Sequence, residues 1–138
     1  MSDVIVSNAE EIAAYVEATS GLRRDSMGHI TGLGVRRGDA LIVGVVFEKY
    51  MKSSIEVHIA STDRTWLSKR FARLVARYTF DQLGCKVVFA RMSSANHRAI
   101  AFALKLGFTL DHVMRDAMPD KHIYLLSMRR ENCRYLEI

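Results

Sequence analysis

The chain has 138 residues, 49% of them apolar and 25% charged, the composition of one globular domain and not of a disordered or fibrous chain. It carries 20 Lys and Arg against 15 Asp and Glu, a net charge of +5, and the excess is mostly arginine, whose planar fork suits phosphate groups. No run approaches the ~20 apolar residues that span a bilayer, so no membrane partner is expected.

Met1 to Val6 lacks the basic and then apolar order of a secretory leader. Cys85 and Cys133 lie far apart, outside any metal-ligand spacing, and read as free thiols of a cytoplasmic protein. His29, His58, His97, His112 and His122 likewise show no ligand spacing, and no metal is expected.

In chain order, Ser7 and Glu10 have capping-box spacing at the head of a helix whose apolar face is Ile12, Ala13, Tyr15 and Val16. The helix stops by Ser20-Gly21, and a polar connector follows to Gly28. Three strand-like runs come next, His29 to Arg36, Ala40 to Tyr50 and Ser54 to Ser61, with connections of hairpin length. In the third, Ile55, Val57 and Ile59 point to one face and Glu56, His58 and Ala60 to the other.

Leu67 to Leu83 is the longest helical pattern, with Arg70, Arg73 and Arg77 on a solvated face and Gly84 ending it. Lys86 to Met92 reads as a buried strand. Asn96 to Leu106 reads as a helix apolar on nearly every side, hence packed in the core, and Gly107 closes it. Phe108 to Arg115 and His122 to Met128 form a last strand pair, and the tail from Arg129 is mixed. The fold class is therefore α/β in the α+β sense: a mixed, mostly antiparallel central sheet with helices on both faces, in one domain over residues 1–138.

The segment Gly84-Cys85-Lys86-Val87-Val88-Phe89, then Asn96, Ala99, Ile100 and Lys105-Leu106-Gly107-Phe108, resembles the second half of the Gcn5-related N-acetyltransferase (GNAT) superfamily. The shared pattern is a glycine ending a long helix, a short strand, an asparagine opening a helix, and a closing Leu-Gly-Phe. Element order extends the resemblance over roughly residues 29 to 130. The chain is also similar to compact bacteriophage-encoded versions of this superfamily, through the aromatic residue and serine before the long helix.

The resemblance implies acetyl-CoA as cosubstrate and an amine as acetyl acceptor. The pantetheine arm would pair with the strand edge Ile59, Ala60, Ser61, and the pyrophosphate would lie against the turn Arg64, Thr65, Trp66, Leu67, Ser68, Lys69, since amides at a helix N-terminus attract phosphate. The superfamily's Gln/Arg-x-x-Gly-x-Gly/Ala signature has no glycine here in either register. Two readings of the turn follow: a diphosphate cradle assisted by Arg64, Lys69 and Arg70, or a plain cap with Trp66 on the core.

Glu56 matches the superfamily's general base, with His58 beside it on the same strand face. The other reading of Glu56 is a carboxylate paired with an arginine. Asn96 matches a cofactor contact and is equally a helix N-cap. The position of the usual acid, a tyrosine, is Ala103. Water or Ser94 are the substitutes at hand. The short N-terminal part walls the acceptor pocket poorly, which suits a protein amine or a homodimer that completes it. A non-catalytic binding or assembly module is the alternative. A nucleic-acid partner is not expected, because the aromatic residues fall at core spacing.

Overall fold

The computed structural model describes residues 3–63 and 68–136. Its elements are β1 (Asp3–Val6), α1 (Ala9–Ser20), β2 (Ile30–Arg37), β3 (Ala40–Glu48), β4 (Ser54–Ser61), α2 (Lys69–Arg77), β5 (Val87–Ser93), α3 (His97–Leu106), β6 (Thr109–Met118) and β7 (Lys121–Arg129). The strands form one seven-stranded sheet in the order β1-β2-β3-β4-β5-β7-β6. Every neighbouring pair is antiparallel except β4 and β5. The expected mixed sheet with helices on both faces is the observed one, and no helix among the described residues is long and apolar enough to cross a membrane.

Alternation along the strands sorts the side chains to two layers. Val45, Phe47, Ile55, Val57, Val88, Ala90 and Leu126 face α2 and α3, where Phe71, Phe80, Ala103, Leu106 and the tail residue Cys133 complete the main core. Val46 and Ala60 face α1 and meet Ile12, Ala13 and Val16. Helix α1 packs on β2, β3 and β4 and comes close because glycines lie beneath it. A Cβ at Gly44 would stand 3.0 Å from both Ile12 Cγ2 and Tyr15 Cδ2.

Several boundaries differ from expectation for identifiable reasons. Strand β1 has no counterpart in the sequence reading; four residues are too few to show a period, and they pair with Gly34 to Arg37. The cap of α1 is Asn8, not Ser7: Asn8 Oδ1 accepts the Glu11 N–H at 3.0 Å. The long helix is regular only to Arg77, and Tyr78–Gln82 continue as a π-turn before Gly84 adopts φ +71. The largest departure is α3. Only Ala103 and Leu106 are buried and Leu104 is 49% exposed, because the helix sits near the sheet's β6 side with nothing packed over its outer face among the described residues.

Candidate active site

β4 and β5 run side by side for only three pairs, Ser54↔Val87, Ile55↔Val88 and Glu56↔Phe89. Beyond Glu56, β4 follows β3 as far as Ser61↔Val43, while β5 follows β7 as far as Ser93↔Ile123. Among the described residues, no ladder joins 57–61 to 90–93. The edge of β4 that holds Ile59, Ala60 and Ser61 is therefore open toward β5.

At the exit of β4, Ser61 Oγ accepts the Asp63 N–H at 3.2 Å, which fixes the turn toward α2. Arg64, Thr65, Trp66 and Leu67 lie outside the described residues. Ser68 is the N-cap of α2, its Oγ accepting the Phe71 N–H at 3.0 Å, and Lys69 and Arg70 are exposed in the first turn. On the arginine stripe Arg77 is exposed as expected, whereas Arg73 is half-buried with a buried Nε that has no hydrogen-bond partner among the described residues. Behind the open edge, on the α2 face, lies an apolar cavity of about 60 Å³ lined by Val57, Ile59, Phe71, Ala72, Val88 and Tyr135.

On the α1 face the parting point carries a compact charge network. Glu56 is fully buried and bound by both arms of Arg91, with Nε to Oε2 at 2.7 Å and Nη2 to Oε1 at 3.0 Å. Lys49 Nζ lies 3.4 Å from Glu56 Oε1 and 2.9 Å from Glu48 Oε1. Glu48, opposite Glu56 in the β3–β4 register, is 2% exposed; its Oε1 also accepts the Gly28 N–H at 3.2 Å, and its Oε2 contacts His58 Nε2.

Burial pushes the Glu48 carboxyl up, but the hydrogen bonds from Lys49, His58 and Gly28 outweigh it and hold the group below the usual carboxylate value. For Lys49, burial pulls down, and the bond to Glu48 together with the field of Glu56 raises it above the usual lysine value. Arg91 is raised chiefly by its bond to Glu56.

The structure thus brings Glu56 and His58 onto one face, as alternation requires, and gives Glu56 an arginine partner. Asn96 caps α3 through Oδ1, which accepts the Ala99 N–H at 3.2 Å. Ser94 Oγ accepts the His122 N–H at 2.9 Å. Ala103 is buried among core residues. Cys85 and Cys133 are buried, and burial pushes both thiols up.

Three members of the network escaped the sequence reading: Glu48, Lys49 and Arg91. A signal for two of them was present. Glu48 ends a run that is otherwise apolar on both faces, and Arg91 interrupts the apolar strand Val87 to Met92; a charge in such a place needs a partner. Glu48, Glu56 and His58 also bring ligand-type atoms within 4.8 Å of one another, which sequence spacing does not reveal. Their negative charge is already answered by Lys49 and Arg91.

No protein-family model matches the chain, and no curated protein matches it significantly. Solved structures do resemble it. A chimera of spermidine N-acetyltransferase from Vibrio cholerae with hSSAT superposes with a TM-score of 0.72 at 11% identity, covering 99% of each chain. An IAA acetyltransferase from Bacillus cereus gives 0.69 at 14% identity over 93% of this chain and 99% of that one. A dodecameric structure of the Vibrio cholerae spermidine N-acetyltransferase gives 0.71 at 11% identity, with 97% and 96% covered. The chain, whose seven-stranded sheet parts after Glu56, thus has the fold of the GNAT-superfamily acetyltransferases.

Proposed function

We propose that the chain is an acetyl-CoA-dependent N-acetyltransferase acting on an amine. The observation that carries this reading is the edge of β4 beyond Glu56, which no ladder to β5 closes among the described residues. An unpaired strand edge offers amide donors and carbonyl acceptors to the pantetheine arm. In this reading Ile59, Ala60 and Ser61 receive that arm, the turn from Arg64 to Lys69 holds the diphosphate, and Asn96 flanks the cleft. Helix-terminal amides act on phosphate whether or not the turn has glycines, and Lys69 and Arg70 add charge.

Glu56 is the general base, by its position at the point where the strands part. A copy of the chain as partner belongs to the same proposal: Leu104 on α3 and Leu110 and Met114 on edge strand β6 are each about half exposed, apolar area that a second copy would cover.

A second reading, a GNAT-fold binding or assembly module without turnover, is favoured by the occupied carboxylates and by the buried Ala103 in place of an acid. One experiment separates them. The acetyltransferase reading expects acetyl-CoA to raise stability by about 2.7 kcal/mol at a hundredfold excess over its dissociation constant. It also expects thiol release with amines to fall by about 10²-fold or more in Glu56→Gln. Binding of acetyl-CoA with no turnover across a panel of amines supports the module, and absence of binding removes the enzyme.

A further inference from the structure

The carboxylates beside the parted strands are covered by cations, and this bears on which amine the site accepts; the inference rests on the acetyltransferase reading above. All four oxygens of Glu48 and Glu56 have partners, namely Gly28 N, Lys49, His58 and Arg91. Both carboxylates are buried, whereas the side chains of Lys49 and Arg91 are 46% and 50% exposed. An acceptor approaching on the α1 face therefore meets an ammonium and a guanidinium group, not a carboxylate.

Arg91 stands on β5 two residues past Phe89, the last residue paired with β4, and reaches back to Glu56 across the opening. It uses Nε and Nη2 for that, and its Nη1 makes no hydrogen bond among the described residues.

We propose that the acceptor is an amine that also carries a carboxylate, and that Lys49 and Arg91 set this specificity by holding the carboxylate. A polyamine would bring like charge to these cations and find no free carboxylate oxygen to bind it. An acid-bearing amine has the opposite effect. The contact of Lys49 with Glu56, at 3.4 Å, is the longest in the network. When the acceptor carboxylate draws Lys49 away, Glu56 Oε1 is left with only the Arg91 bond and has a lone pair for the amine proton.

The step then balances. The amine nitrogen attacks the thioester carbonyl carbon, the N–C bond forms, and the nitrogen's proton passes to Glu56. The C–S bond breaks with its electron pair on the sulfur, and the thiolate takes up the proton that Glu56 has accepted. The acceptor's own carboxylate thus serves both to dock it and to release the base.

The test compares glycyl-aspartate, its diamide and spermidine as acceptors, reading thiol release from acetyl-CoA. The proposal predicts a kcat/KM about tenfold higher for the acid than for the diamide, expressed mainly in KM. That acid-to-diamide ratio should fall toward one in Lys49→Gln, and in Arg91→Lys, which keeps the charge but loses the fork. Melting temperature and acetyl-CoA affinity measured on the same variants show that each is folded and loaded. Equal rates for acid and diamide, faster transfer to spermidine, no transfer to any of the three, or a ratio unchanged in both variants overturns the proposal. Absence of acetyl-CoA binding to the unaltered protein is a separate failure, and it removes the acetyltransferase reading and this inference together.

Discussion

At the scale of single residues, the parting point is organised by two glutamates that could not be buried as charges alone. Removing a carboxylate from water is costly unless its oxygens are bonded, and the chain supplies a bond for each. The pH dependence follows. Glu48 titrates lower in the folded chain than its usual value of 4.5, so its contribution is complete above that value and is lost as pH falls through the lowered one. We expect the urea midpoint to drop between about pH 5 and pH 3, with a shallower drop in Glu48→Gln. Asp3 and Glu10 are also lowered, by bonds to Arg37 and Arg24, but they are common to both proteins, so the difference between the curves isolates Glu48. Parallel curves would show that the network does not hold Glu48 ionised. Glu56 and His58 were legible in the sequence as neighbours on a strand face; Lys49 was not. It lies just past the end of β3 with φ +55, a backbone turn that no periodicity announces.

At the scale of elements, regular periods were readable and irregular ones were not. The strands β2 to β5 and the glycines ending the helices appeared in the sequence because alternation and left-handed caps leave local marks. The π-turn at Tyr78–Gln82 leaves none: its residues continue the helical pattern while the backbone widens, so that Thr79 and Phe80 are both buried. The exposure of α3 was misread for a different reason. Composition reports how apolar a helix is, not whether a second layer exists to cover it.

The seat of α1 is a matter of clearance that composition also hides. Because a Cβ on Gly44 would press on Ile12 and Tyr15 at 3.0 Å, Gly44→Val should cost about 1–3 kcal/mol, read from the urea midpoint. Gly28→Ala is the control, since nothing lies within 4 Å of a Cβ there. An equal loss in both variants would show that α1 is not packed against β3 as described.

At the scale of the whole molecule, one topological fact carries the functional account: in a sheet that runs from β1 to β6, the parallel strands β4 and β5 meet for three residue pairs and then diverge. The element order made that crossover expected from the sequence. The length of the shared ladder, three residue pairs, is a matter of tertiary register and was not readable. The most direct test is backbone hydrogen exchange over residues 57–61 and 90–93, with and without acetyl-CoA. The amides of 57–61 that point away from β3, toward β5, are expected to exchange quickly in the free protein and to slow markedly when acetyl-CoA is added, while those bonded to β3 stay protected throughout. Slow exchange in the free protein at the 57–61 amides that face β5, or exchange there that acetyl-CoA leaves unchanged, would contradict the account.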